Sequence, residues 1–325
     1  MNPTIIMKLS GLLPVFGLVL FLFVIAGINL NSVAGYIATA DPFYIALSVV
    51  FVFLSVLLKV AKWGMVTASC GTGYPLRKLL EAWLVGFAMS MITPARLGDI
   101  SRAYYIRGGL SSGKALTTVV ADRAIDVFTL FALSVLGLSA LAVHAGISDV
   151  LTAVIFSFAV FILSAAAASR KSFVRKISAP LFRRLVPEHR RGGIRLMFND
   201  FYSGLRMITG NRKRLFMAFS LGIAAWALST AHRYLAGLSI GMDVGYLTLF
   251  LVMPIITLLD TLPISLSGIG TREVSLLFFL SLFGVAAETA VAFSVLLLLL
   301  GYVLVGAVGF ALWLRNPVRF RSSSS

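Results

Sequence analysis

The sequence predicts an all-α fold, a polytopic transmembrane helix bundle with about six full spans plus two broken, re-entrant helical hairpins in an inverted-topology repeat. Three observations predict it. Hydrophobic residues make up 59% of the 325 and charged residues only 12%, whereas soluble domains carry about 45–50% apolar and about 25% charged residues. The apolar residues fall in runs of about 20, the length that crosses a hydrocarbon core. Lys and Arg collect in alternate connections, as they do when basic loops stay in the cytoplasm.

The elements follow in order. The run 10–30 opens the bundle; its apolar part, 11–28, is longer than a signal-peptide core and lacks a small-residue cleavage site, so it reads as a retained first span. Residues 43–62 form the next span. The stretch 79–93 is broken by Pro94 and followed by a polar helix. Full spans come next at 115–143 and 149–168, and another at 215–238 after a basic stretch. Residues 246–262 are interrupted by Pro263 and the turn Gly268-Ile269-Gly270, and apolar character resumes over 274–283. The last span is 286–314.

Charge orients these elements. Thirteen basic residues lie from Arg170 to Arg214 against two acids, Glu188 and Asp200. That stretch, the tail with Arg315, Arg319 and Arg321, and the segments 59–78 and 102–114 are expected on the cytoplasmic side. The segments 29–42, 144–149 and 239–245 hold no Lys or Arg and suit the outside. Both termini are therefore expected in the cytoplasm, with the protein in the cell (inner or plasma) membrane. On this alternation, 79–114 enters from and returns to the cytoplasm, and 246–285 enters from and returns to the outside. That is the inverted arrangement by which many secondary transporters build a site near the midplane. A weak echo accompanies it: Thr93-Pro94-x-Arg96-x-Gly98-Asp99 against Leu262-Pro263 and then Gly270-Thr271-Arg272-Glu273. The chain reads as one integral membrane domain over 1–325: a first half 1–168, a basic cytoplasmic loop 169–214 with an amphipathic surface helix near 196–205, a second half 215–315 and a tail 316–325.

Charges within spans cost about 2.5–3.5 kcal/mol each on insertion scales and mark function or pairing. In Pro94-Ala95-Arg96-Leu97-Gly98-Asp99-Ile100-Ser101-Arg102 the proline breaks the entering helix, and a helix restarting nearby puts Arg96, Asp99 and Arg102 on one face. An arginine fork there binds phosphate; the same residues also suit an interfacial loop with snorkelling arginines. Asp122-Arg123-x-x-Asp126 sets two carboxylates one turn apart, able to hold Arg96 or Arg102, to neutralise Arg123, or to lock helices together. Asp260 precedes the third cluster, in which Ser265, Ser267, Gly268, Gly270, Arg272 and Glu273 surround a glycine-rich helix restart. Such a restart presents backbone N–H groups to an anion; it equally serves as a turn that reverses two half-helices. His232-Arg233-Tyr234 reads as an interface anchor with a structural histidine.

Other classes are set aside on the same residues. A net charge of +16 suits nucleic acid, but the clustering of basic residues beside spans points to anionic headgroups, so membrane lipids and no nucleic acid are the expected partners. The single Cys70 permits no intramolecular disulfide. His144, His189 and His232 show no metal-ligand spacing, and no ATP-binding loop or nucleophile motif stands out. No metal, no cofactor and no catalytic residue is expected.

The succession Pro94-x-Arg96-x-Gly98-Asp99-x-x-Arg102, then Asp122-Arg123-x-x-Asp126, then Leu262-Pro263-Ile264-Ser265-x-x-Gly268-x-Gly270-x-Arg272-Glu273 resembles the lysylphosphatidylglycerol synthase transmembrane-region family, also called the flippase-like or UPF0104 family. The likeness covers nearly the whole chain. Asp99 and Asp122 depart from it, since glutamate is more usual at both places. The resemblance implies a lipid-handling domain that moves aminoacylated phosphatidylglycerol, or a polyprenyl-phosphate-linked lipid, between leaflets. It also leaves open a membrane enzyme, or a membrane partner of a separately encoded lipid synthase or glycosyltransferase. The chain ends at Ser325 without an aminoacyl-transferase domain, so it is not expected to synthesise lysyl-lipid by itself.

Overall fold

The computed structural model describes residues 19, 21–106, 108–145, 148–261, 268 and 270–315. Regular structure among them is entirely helical. Five helices are long and apolar enough to cross a membrane: Pro42–Ser69, Ser112–Leu141, Ser148–Ser169, Arg212–Ser239 and Ala287–Arg315. The expected first span, 10–30, falls in part outside the described residues; 21–26 are helical. The protein is thus an all-α polytopic membrane bundle.

In chain order the elements are α1 (Leu30–Ala38), α2 (Pro42–Ser69), α3 (Leu76–Met91), a 3-10 segment (Pro94–Ile100) and α4 (Ser101–Tyr105), then α5 (Ser112–Ala145) and α6 (Ser148–Ser169). There follow α7 (Lys171–Leu185), α8 (Glu188–Gly210), α9 (Arg212–Ser239), α10 (Tyr246–Thr261), α11 (Thr271–Ser281) and α12 (Ala287–Leu297). The last span continues through a π-helical turn (Leu298–Val303) into α13 (Leu304–Arg315).

The centre of the bundle is the pair α2 and α9. Asp41 N–H donates to Ser239 O (2.8 Å), Ser48 Oγ bonds His232 Nδ1 (2.7 Å), Gly222 faces Lys62, and Arg214 donates to Ala68 O. Low numbers on one helix meet high numbers on the other at every contact, so the two run antiparallel along their whole length.

They are also copies of one plan. A constant shift of 170 residues maps Pro42–Ser69 onto Arg212–Ser239 and Leu76–Met91 onto Tyr246–Thr261, each pair equal in length. An Asx residue caps each long helix: Asp41 accepts from Phe43 N–H and Asn211 from Arg214 N–H. Each long helix ends at a glycine in the left-handed region, Gly71 (φ 92°) and Gly241 (φ 73°), which a residue with a Cβ adopts only under strain. The shift then pairs Gly98 with Gly268, the helix starts Ser101 and Thr271, and Arg102 with Arg272. Because α2 and α9 are antiparallel, the repeat is inverted. The sequence echo set Thr93-Pro94 beside Leu262-Pro263, so Pro94 and Pro263 are displaced by one residue from this register.

Each half interlocks with the other. Helix α5 packs on α10, and α13 on α3. Both contacts close at a glycine: a Cβ on Gly137 would stand 2.1 Å from Leu251 O, and one on Gly309 would stand 2.1 Å from Leu84 O. Tight approach at small residues is how helices associate where lipid removes the hydrophobic drive.

The basic stretch 169–214 is not a loop. It folds as α7 and α8, and helix continues through Pro180 and through Gly192-Gly193. Packing overrides propensity in α8, which docks on the start of α5. Thr117 Oγ1 donates to Phe201 O (2.8 Å), and Gly113 lies so close that a Cβ would be 2.2 Å from Met197 O.

Gly137→Leu and Gly309→Leu are each expected to destabilise the bundle by about 1–3 kcal/mol through overpacking. Gly193→Ala, in α8 with nothing within 4 Å, should be neutral or slightly stabilising. Thermal unfolding of the detergent-solubilised protein reads all three; unchanged melting for both leucine variants would contradict the packing.

Candidate functional site

The broken first hairpin is shaped for one arginine. The 3-10 segment folds back on the last turn of α3, with Gly98 against the backbone of Met89 and Ser90 and its N–H bonded to Thr93 Oγ1 (2.7 Å). This return places Arg102 opposite Gly86, where any Cβ would meet the arginine stem at 2.3 Å. Arg102 is fully buried, with its guanidinium near the faces of Trp63 (5.4 Å) and Trp83 (5.9 Å).

Around it closes a ring of alternating charge. Arg102 Nη2 meets Asp99 Oδ1 (3.2 Å) and Arg102 Nη1 meets Asp122 Oδ2 (3.0 Å). Asp122 Oδ1 pairs with Lys62 Nζ (2.9 Å), and Lys62 pairs with Asp126. Asp126 Oδ2 reaches Arg123 (3.7 Å), and Arg123 returns to Asp99. Three cations and three carboxylates from α2, the 3-10 segment, α4 and α5 thus neutralise one another in a circle of ion pairs, although Asp99 Oδ1 and Oδ2, Arg102 Nη2 and Asp122 Oδ1 lie outside hydrogen-bond geometry. A buried charge is tolerable only when so compensated.

The second half is locked differently. Arg272 donates through Nε to Ser294 Oγ (2.9 Å) and through Nη2 to Glu273 Oε1 (2.9 Å). Ser294 donates to the same carboxylate oxygen (2.6 Å), while Glu273 Oε2 accepts from Gly270 N–H (2.6 Å) and so caps α11. The guanidinium lies 5.7 Å from the centre of the Tyr302 ring, which the π-helical turn carries. Gly270 (φ 88°) and Gly268 (φ 82°) take the left-handed turns of the restart, Gly268 close against Asp260.

Between the two locks, against the α2/α9 pair, lies a cavity of about 490 Å³. Its wall carries Lys59, Asp99, Arg123, Asp126, Arg233, Asp260 and Arg272, with Trp83, Phe87, Trp226 and Tyr302 among the apolar lining. Of the residues singled out in the sequence, Asp99, Arg123, Asp126, Asp260 and Arg272 are on this wall. Arg102 and Asp122 stand behind it in the ring, and Glu273 behind Arg272. The side chain of Arg96, and Ser265 and Ser267 altogether, lie outside the described residues.

Three wall or ring residues were not foreseen. Lys59 and Lys62 read as a cytoplasmic flank, yet α2 runs on to Ser69, which carries both inside the bundle, Lys62 at 1% exposure. The signal was available: Trp63, Met65 and Val66 continue the apolar helix past the lysines. Arg233 read as an interface anchor, but α9 continues to Ser239 and turns Arg233 onto the cavity, its guanidinium 4.6 Å from the Trp226 ring. His232 is held by Ser48 on the neighbouring helix.

Among the described residues no group of three His, Cys, Asp or Glu is placed to hold a metal ion. Cys70, at the end of α2, is buried, and burial pushes its thiol up to about 11, which leaves it protonated at neutral pH. The cavity offers ion pairing, stacking and an apolar wall.

Arg102→Met and Asp122→Leu each strand an opposite charge in the ring and should cost about 3–5 kcal/mol. The double variant leaves the remaining Lys62, Asp126, Arg123 and Asp99 balanced, and should cost clearly less than the two singles combined. Thermal unfolding of the three variants measures the coupling, and strict additivity would contradict a closed ring.

Known proteins are similar in sequence to this chain over most of its length. The family described as the lysylphosphatidylglycerol synthase TM region matches residues 9–309. A UPF0104 membrane protein of Methanothermobacter thermautotrophicus is 26% identical over 323 residues, covering 94% of this chain and 95% of its own. The UPF0104 membrane protein MJ1595 of Methanocaldococcus jannaschii is 23% identical, covering 93% of each. The glycosyltransferase AglD of Haloferax volcanii is 23% identical over 83% of this chain, but only 48% of its own length. The matched stretch takes in both hairpins, the ring and the cavity, and the chain belongs to the lysylphosphatidylglycerol synthase TM region family.

Proposed function

We propose that the protein is a lipid translocator of the cell membrane, moving an anionic or aminoacylated phospholipid, or a polyprenyl-phosphate-linked lipid, between leaflets. One observation carries this reading: a charged cavity stands between two inverted halves, inside a bundle whose outer surface is apolar. Inverted repeats meeting at a polar site permit the site to open first to one side and then to the other as the halves rock. A headgroup would bind the wall charges while its hydrocarbon chains stay in the bilayer. In this reading α7 and α8, with their many Lys and Arg, face the cytoplasm and the anionic leaflet, and both termini lie on that side.

A second reading has its own support. The relative named a glycosyltransferase matches this chain over only 48% of its length, so the membrane module there accompanies further chain. The present protein would then serve as a membrane partner of a separately encoded lipid-modifying synthase or glycosyltransferase, docked through the basic α7–α8 surface.

Reconstitution in vesicles holding fluorescent phosphatidylglycerol in one leaflet separates the readings. Translocation should depend on the protein, fall about tenfold or more in Arg272→Ala, which loses a charge-assisted wall contact, and recover partly in Arg272→Lys. No protein-dependent movement of any offered lipid, together with stoichiometric capture of a lipid-modifying enzyme, would replace the translocator by the partner reading.

A further inference from the structure

The wall charges of the cavity do not balance one another. Asp99 is held by Arg102 and Arg123, and Asp126 by Lys62 and Arg123. Arg272 and Glu273 hold each other. Asp260, the remaining wall carboxylate, also has an interaction of its own. Two wall cations are different. Among the described residues, neither Lys59 nor Arg233 has a carboxylate within 4.0 Å, and Arg233 Nη1, like Arg272 Nη1, is a buried donor without a hydrogen-bond acceptor.

These two cations face the same space from opposite helices, Lys59 on α2 and Arg233 on α9, and repel each other, while Asp126 attracts Lys59 and Asp260 attracts Arg233 from beyond ion-pair distance. Repulsion between like charges in a low-dielectric enclosure costs more than in water. The bundle nevertheless fixes both: Arg233 rests on Trp226, and Lys59 lies on the wall one turn before the ring member Lys62. Cations on a cavity wall with no carboxylate in direct contact are a receptor for an anion. A headgroup ammonium would add a further positive charge beside them and would find every wall carboxylate already engaged.

We infer that Lys59 and Arg233 bind the phosphate of a lipid whose headgroup carries no ammonium, and that the cavity discriminates against aminoacylated lipid. This rests on the reading of the cavity as a lipid headgroup site. Among the lipids named above, it selects the anionic class, phosphatidylglycerol or a prenyl phosphate, over the lysylated one. Arg233 supplies the planar fork and Lys59 the point charge. Their opposite helices belong to the two inverted halves, so the phosphate bridges the halves.

The test uses the full chain in nanodiscs, offered equal amounts of phosphatidylglycerol, lysylphosphatidylglycerol and phosphatidylcholine, with retained lipid read by native mass spectrometry. Phosphatidylglycerol should be retained over each of the other two by about tenfold or more, the worth of one charge-assisted contact. Lys59→Gln and Arg233→Gln should each reduce that retention about 10–100-fold, while Lys59→Arg and Arg233→Lys keep most of it. Lysylphosphatidylglycerol retained equally or better would overturn the inference, as would unchanged retention in both glutamine variants. If a glutamine variant does not fold, the competition on the unaltered protein decides alone. Millimolar inorganic phosphate that displaces the bound lipid would assign the site to free phosphate and overturn its lipid character. The vesicle assay keeps the two readings apart. Selective retention without translocation removes the translocator and leaves this inference standing; translocation of lysylphosphatidylglycerol that is indifferent to Lys59→Gln and Arg233→Gln removes this inference and leaves the translocator.

Discussion

The closed ring of Lys62, Asp122, Arg102, Asp99, Arg123 and Asp126 is the constraint on which the first half of the molecule depends. Six charges are placed within an apolar bundle, where any one alone would be costly. They are tolerable because each carboxylate has two cations and each cation two carboxylates. That condition dictates the architecture around it. The chain must break at Pro94 and return so that Asp99 and Arg102 reach α5. Gly86 must leave room for the arginine stem, and α2 must carry Lys62 past the point where a shorter span would have ended.

The second half keeps the frame and changes the chemistry. The 170-residue shift that superposes the two hairpins sets Arg102 over Arg272 and Lys62 over His232. Yet Arg272 is held by Ser294 of α12 and by the carboxylate that caps its own helix. One half is thus clamped by a network spanning four elements and the other by a compact lock. The glycine contacts of α5 on α10 and α13 on α3 join the two halves as closely packed surfaces.

Much of this was legible in the sequence. The apolar runs gave the spans, the alternation of Lys and Arg gave the inverted hairpins, and Asp122-Arg123-x-x-Asp126 announced an ion-pair cluster, since acids in a span need partners. What sequence reading lost was lost for physical reasons. Positive-inside counting treats every lysine near a span end as solvated, so Lys59 and Lys62 were placed in the cytoplasm, although α2 carries both inside the bundle and Lys62 pairs with Asp122, 60 residues further on. Arg233 was read by proximity to a helix end, although only the length of α9 shows which way it faces. The basic stretch was read as a loop, yet Pro180 and Gly192-Gly193 lie within helices, and α8 docks on α5. The repeat register was blurred because the sequence comparison leaned on prolines, while the fold aligns on Gly98, Gly268 and the two arginines.

In the proposed reading the cavity between the inverted halves is a headgroup site backed by the closed ring of ion pairs. A structure determined by electron microscopy in nanodiscs of native lipid tests it most directly. Phosphate density within hydrogen-bond reach of Lys59 and Arg233, with the acyl chains leaving toward the bilayer and the ring intact behind, is the expected result. A cavity closed by direct pairing of Lys59 and Arg233 to Asp126 or Asp260, with lipid only on the outer surface, would contradict it.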